Sequence, residues 1–313
     1  MRRHFIFDWM KNPGPRQNSP KGGLRLVIGI ATHGRSEVLC ETIHDLSRQK
    51  RQPDEIIVAH TDSSDIGDAP TRFPAVKFIC SPLGLTRQRN AIIENCIDKD
   101  LLLFIDDDFY LEGTYLQIIE RLFLDYPQVV AATGNVLADG IHGPGISVEQ
   151  AKSLLIGLNV AEDRQEIKKT FNTYGCNMSL RLAPIRAHGI RFDERLPLYG
   201  WYEDVDFSRR LSPFGAIVKV STACGVHLGT KGGRTSGLRL GYSQIANPIY
   251  LAQKGSVSWG FAIASAVSRC TKNMLRSLAP ESYVDRRGRF LGNIAACREL
   301  LTGKLCPSRI NHL

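Results

Sequence analysis

At 313 residues, 43% hydrophobic and 23% charged, the chain has the make-up of a soluble globular protein whose core needs no covalent staple. No apolar run approaches the roughly 18 residues that span a bilayer, which excludes a transmembrane helix. The net charge of +9 sits at the ends: residues 1–25 hold six Lys/Arg and one Asp, residues 269–309 hold nine Lys/Arg and three Asp/Glu, and the middle is close to neutral.

Residues 1–23 read as a flexible leader. MRRHFIFDWMKNPGP has too few apolar residues before Asp8 for a signal-peptide core, and 10–23 is rich in Pro, Gly, Asn and Ser. LRLVIGIA (24–31) then reads as a buried strand and 36–49 as a helix. Strands follow at 54–60 and 75–80, a helix at 85–97, a strand at 101–105, a helix at 113–124 and a strand at 128–134. This alternation of apolar strands and helices implies a mostly parallel sheet covered by helices. Past a Gly-rich loop, 148–158 reads as a helix, 174–181 as a strand, 203–211 as a helix, and 216–220 and 223–227 as two short strands. The chain beyond 240 reads as helices. In 286–303, Phe290, Leu291, Ile294, Cys297 and Leu301 share one face. Eight cysteines with no CxxC pair read as reduced thiols of a cytoplasmic protein.

Two acidic clusters carry the chemistry. In LLLFIDDDFY (101–110), five apolar residues run into three aspartates. Ligands of open α/β sheets bind at the carboxyl ends of strands. In an extended segment Asp106 and Asp108 face together and Asp107 faces away. Crowded carboxylates invite a hard cation, Mg²⁺ or Mn²⁺, which offsets their repulsion and can hold a diphosphate. An acidic turn capping a helix is the plainer alternative. In GWYEDVDFSRRL (200–211), Glu203, Asp204 and Asp206 open a helix, where the dipole alone favours acids. The glycine and aromatics before them suggest a loop shaped around a sugar, with a carboxylate able to take a proton from a hydroxyl.

These motifs, in this order, resemble family 2 glycosyltransferases. Asp106, Asp107 and Asp108 resemble that family's DxD-type motif. GLTRQRNAII (84–93) resembles its segment near the nucleotide sugar, and GCNMSLRLAPIRAHGIRFDERLPLYGWYEDVDFSRRL (175–211) its acceptor half. The resemblance covers roughly residues 24–230. It implies the GT-A fold, a Rossmann-like, mostly parallel central sheet flanked by helices, over 24–235. Residues 24–134 would be the nucleotide-binding half, 135–235 the acceptor half, and 236–313 a helical, basic extension.

The implied reaction moves a sugar from a nucleoside-diphosphate sugar to a hydroxyl of a glycan or lipid-linked acceptor, with inversion and a divalent cation. Asp204 would be the general base, with Glu203 beside it. Asp108 would bind the metal, with Asp106 supporting metal or ribose and His227 as a third ligand. Donor contacts are expected from Thr32, His33, Arg35, Gly84, Arg87, Arg89, Asn90, Asp106 and Asp107. The family often reads DDGSTD where this chain reads HTDSSD (60–65), so Asp62 inherits the contact to the base. GTKGGRTSG (229–237), with Lys231 and Arg234, suits a mobile loop over phosphates, or an ordinary linker.

Other classes explain less. GIATHG after the first strand lacks the nicotinamide fingerprint. An aspartate-based phosphotransferase or phosphatase would use the D-x-D but leaves 175–211 without a role. A pI near 9.2 suggests nucleic acid, yet the charge sits at the ends with no recognition motif. Arg269, Lys272, Arg276, Arg287 and Arg289, interleaved with Trp259, Phe261, Ile263 and Val267, suggest instead a peripheral enzyme at the cytoplasmic face of an anionic membrane. Solvated helix faces, or a tail that packs on the domain or dimerises, are the other readings.

Overall fold

The computed structural model describes residues 23–156, 158, 166–233 and 235–313. Most of the leader, and Arg234 of the glycine-rich loop, therefore lie outside the described residues. The N-terminal half alternates as its apolar pattern demands: β1 (Leu26–Ala31), α1 (Ser36–Leu46), β2 (Glu55–His60), α2 (Ala69–Arg72), β3 (Lys77–Cys80), α3 (Leu85–Glu94), β4 (Leu101–Asp106), β5 (Phe109–Leu111), α4 (Tyr115–Asp125) and β6 (Val129–Asp139). The rest comprises α5 (Val148–Ile156), β7 (Ile167–Lys169), β8 (Asn177–Arg181), α6 (Leu182–Ala187), α7 (Glu203–Leu211), β9 (Ala216–His227), α8 (Gly237–Lys254), α9 (Trp259–Ser277) and α10 (Arg286–Leu301).

One nine-stranded sheet runs in the order β3-β2-β1-β4-β8-β6-β9-β5, with β7 on β9. β1 to β4 are mutually parallel, β6 and β9 run with them, and β5, β7 and β8 run against them. Side chains alternate across the sheet, which divides the core. Leu26, Ile28, Leu101 and Leu103 pack under α1 and α4, and Val27, Leu102 and Phe104 pack under α3 and α7. The two short strands expected at 216–220 and 223–227 form one continuous strand. Its pairing with β6 slips between Thr133 and Asn135, and that irregularity is what broke its sequence pattern.

Three registers build the site. Ala31 pairs with Asp106, so the turn after β1 lies beside the aspartate triplet. Ile105 pairs with Asn177, which brings Tyr174-Gly175-Cys176 to the same edge. Phe109 pairs with His227, which brings that imidazole next to Asp108.

The C-terminal helices pack in a way the apolar pattern hides. α8 and α10 meet through small residues: a Cβ on Gly292 would stand 2.1 Å from the Leu238 carbonyl oxygen, and one on Gly241 would stand 2.0 Å from that of Arg289. Asn293 Nδ2 donates to Gly241 O at 2.7 Å across the seam. α10 therefore buries Gly292, Asn293 and Ala296, and its apolar stripe turns outward, with Leu291 58% and Leu301 87% exposed. On α9, Ile263 and Val267 are likewise 53% and 59% exposed. No described helix is long and apolar enough to cross a membrane.

Candidate active site

At the end of β4 the triplet divides. Asp107 is fully buried, where Thr32 Oγ1 donates to it at 2.7 Å and the Arg35 guanidinium lies 3.0 Å away. Burial pushes its carboxyl up to about 7 even against Arg35. Asp106 and Asp108 face His227, whose Nε2 lies 3.6 Å from the first and 3.2 Å from the second. One ligating atom from each of these three residues falls within 4.8 Å of the others.

Burial opposes charge on both His227 and Asp108. Asp108 and Asp139 nevertheless hold the imidazolium up to about 10, while His227 and Arg35 hold Asp108 well below the usual carboxylate range. Asp108 Oδ1 is buried against His227 Nε2 at 3.2 Å. Two carboxylates and an imidazole converging in this way suit a divalent cation with mixed oxygen and nitrogen ligands. Thr230 N–H donates to the other Asp108 oxygen at 2.7 Å, so the glycine-rich loop lies against the aspartate triplet.

The second acidic cluster arrives on a strained loop. Leu198, Gly200 and Tyr202 have φ of 56°, 64° and 69° just before α7 begins at Glu203. Such left-handed backbone costs about 1–3 kcal/mol at a non-glycine residue and persists where packing over-determines it. The φ at position 200 favours glycine, and a Cβ there would also crowd Glu203 Cγ at 3.1 Å and Thr86 Cγ2 at 3.3 Å. Glu203 is buried against Arg89 at 2.5 Å, and Arg89 also lies 3.5 Å from Asp106 and donates to Gly175 O at 2.7 Å. Asp204 is part-exposed and accepts from Gly175 N–H at 3.1 Å. Burial raises its carboxyl above the usual range. Asp206 is buried with Lys254, Arg210 and Ser256, and so anchors α8.

The remaining expected residues spread out. Arg35 reaches Asp108 at 3.5 Å. His33 is half exposed and faces Asp65 at 3.1 Å. Asp62 is exposed and caps the turn at Ser64. The buried acid at the β2 exit is Asp65, which accepts from Gly34, Thr61 and Asp62. Gly84 opens α3, with Leu85 N–H bonded to Leu198 O at 2.8 Å. Asn90 pins Phe192 and Glu194, and Arg87 faces Glu194 at 3.6 Å, so both side chains engage the 190s segment.

Two residues that the sequence reading passed over lie beside His227. Asp139 Oδ1 is 2.9 Å from its Nδ1, and Tyr174 Oη donates to Asp139 Oδ2 at 2.8 Å. Asp139 ends β6, but the last five residues of that strand are only partly buried or exposed, so no apolar run marked it in the sequence.

The sequence pattern described as "Glycosyl transferase family 2" matches residues 27–189, just over half of the chain. The chain belongs to glycosyl transferase family 2. This family 2 protein is 28% identical over 94 residues to the "Uncharacterized glycosyltransferase YwdF" of Bacillus subtilis (strain 168), a stretch covering 29% of this chain and 35% of that one. The likeness therefore spans about a third of that relative's length.

Solved structures share the fold. S. aureus TarS 1–349 is 13% identical, with 90% of this chain and 92% of that one covered at a TM-score of 0.54. Mannosyltransferase PcManGT from Pyrobaculum calidifontis, solved with GDP-Man and Mn²⁺, is 13% identical over 97% of this chain and 89% of its own at 0.52. GalNAc-T7, solved with UDP, GalNAc and Mn²⁺, is 12% identical over 92% and 58% at 0.57. The family 2 chain thus has the GT-A fold, with three helices after it.

Proposed function

We propose that the protein is a divalent-metal-dependent, inverting glycosyltransferase that moves a sugar from a nucleoside-diphosphate sugar to a hydroxyl of a glycan or lipid-linked acceptor. The carrying observation is the meeting of Asp106, Asp108 and His227 at the strand edge where Gly175 and Arg89 hold Asp204 and Glu203. Asp106, Asp108 and His227 would hold the cation, Mg²⁺ or Mn²⁺. When bound, that cation supplies positive charge to the diphosphate leaving group.

The chain's own residues do the rest. Asp204 takes the proton of the acceptor hydroxyl, and its raised pKa makes it a better base than an ordinary aspartate. Arg89 locks Glu203 and leaves Asp204 as the part-exposed acid of the pair. Arg35, with Thr32, offsets the charge of the triplet. The 229–233 loop, bonded to Asp108 through Thr230, excludes water from the donor. With a base and a stabilised leaving group, no covalent nucleophile is needed.

The exposed apolar stripes of α9 and α10, rimmed by Arg287 and Arg298, support peripheral association with an anionic membrane at the cytoplasmic face. The test of the function is a panel of nucleotide sugars screened by thermal shift with and without Mn²⁺, followed by transfer assays on lipid-linked and soluble glycan acceptors. A donor that raises Tm only with Mn²⁺ is the expected result. No response to any nucleotide sugar would remove the reading.

A further inference from the structure

The β6 and β9 registers place Asp139 directly beside His227. Every oxygen of Asp139 is committed. Its Oδ1 faces His227 Nδ1 at 2.9 Å and accepts from Ile141 N–H at 3.2 Å, and its Oδ2 accepts from Tyr174 Oη at 2.8 Å. A carboxylate only accepts, so the Nδ1 that faces it carries the proton. The ring is then fixed with Nε2 pointing at Asp108 and Asp106. Tyr174 also packs edge-on against the imidazole, with ring centroids 6.5 Å apart and planes at 87°.

The next residue in the chain reaches the other cluster. Gly175 N–H donates to Asp204 at 3.1 Å and Gly175 O accepts from Arg89 at 2.7 Å. A Cβ on Gly175 would stand 3.1 Å from Glu203 Oε1, so a larger residue would press on that carboxylate.

We infer that Asp139 and Tyr174 are positioning residues: they hold the His227 imidazole in the orientation that lets Nε2 ligate a divalent cation, and the Tyr174-Gly175 segment ties that ligand to the Asp204 base. The inference rests on the reading of Asp106, Asp108 and His227 as the metal-binding set. Ligating histidines are held this way by an outer carboxylate, and losing that partner costs about 10- to 100-fold in metal affinity. Tyr174 orients Asp139 in turn, so its hydroxyl contributes at one remove.

The test is a Mn²⁺ titration of the full chain, followed by the electron paramagnetic resonance signal of free Mn²⁺, with the visible spectrum of a Co²⁺-loaded sample as a second readout. Asp139→Ala is expected to weaken Mn²⁺ binding by about 10- to 100-fold and to change the Co²⁺ bands. Asp139→Asn keeps an acceptor for Nδ1–H and an amide for Tyr174, so it should recover part of the loss. Tyr174→Phe should give a smaller loss in the same direction. Both of these variants keep the side-chain shape and carry the test if the alanine variant does not fold. Equal Mn²⁺ affinity in wild type and in folded Asp139 variants overturns the inference and leaves the site reading standing. A wild-type chain that takes up no Mn²⁺ overturns both.

Discussion

Arg89 and Glu203, 114 residues apart in sequence, form a buried ion pair at 2.5 Å. The same guanidinium lies 3.5 Å from Asp106 and packs over the rings of Phe104 and Phe192. It joins the two acidic clusters, and it explains how α3 belongs to the site without extending into solvent.

Removing Arg89 strands an acid. Arg89→Met leaves the buried Glu203 carboxyl without its partner, a change worth about 3–5 kcal/mol. Urea unfolding at pH 7 should register that loss. Arg89→Met combined with Glu203→Leu should regain much of it, because both members of the pair are then apolar. A double variant as unstable as the two single losses added together would show that the pair is not coupled.

Asp204 and Asp108 should separate transfer from donor binding. Asp204→Asn is expected to lower kcat by about 100-fold or more while metal-dependent donor binding survives. Asp108→Ala should weaken donor binding in the presence of Mn²⁺. Because burial raises the Asp204 carboxyl, the acidic limb of the pH–rate profile should lie above the ordinary aspartate value of about 3.9, with activity falling as pH drops through it. Near-normal transfer by Asp204→Asn would assign the base elsewhere.

Asp65 should make the β2 exit pH-sensitive in stability. Burial alone would raise its carboxyl, but the Thr61 hydroxyl and the N–H groups of Gly34, Thr61 and Asp62 outweigh it and hold the group far below the usual range. A depressed folded value stabilises the protein above the unfolded value of about 3.9, and that contribution is lost as pH falls below it. Asp65→Asn should therefore cost about 2–3 kcal/mol at pH 7, and the gap to wild type should narrow below about pH 4. Thermal or urea unfolding at several pH values measures this. A pH-independent gap would contradict it.

The outward face of α9 and α10 should bind vesicles containing phosphatidylglycerol and ignore pure phosphatidylcholine, with binding that weakens as salt is added. Leu291→Asn with Leu301→Asn, and separately Arg287→Glu with Arg298→Glu, should reduce cosedimentation. Those residues are exposed, so each change should leave stability within about 0.5 kcal/mol. Absence of wild-type binding to either vesicle, or a dimer in solution that the leucine variants dissolve, would remove the membrane reading.

Much of the candidate site is legible in the sequence. A continuous apolar run ending in acids marks a strand end whatever the rest of the chain does, because the period of two and the burial of parallel strands are local properties. Asp106 and Asp108 do face His227 together, but Asp107 and Asp108 form a turn between β4 and β5, so the turn and not strand alternation divides the triplet; α7 begins at Glu203 as its acidic first turn suggests.

Other features depended on contacts between distant segments, which one sequence does not display. The register between β6 and β9 joins Asp139 to His227 across 88 residues. The burial of Asp65, and not Asp62, follows from N–H groups of two separate turns converging on one carboxylate. α10 illustrates the same limit. Its apolar spacing suggested a helix with Leu291, Ile294 and Leu301 on the packed face, but which face is buried was decided by the close approach that Gly241 and Gly292 permit. The amino-acid order determined the elements and the chemistry at their ends, and the tertiary packing chose the partners.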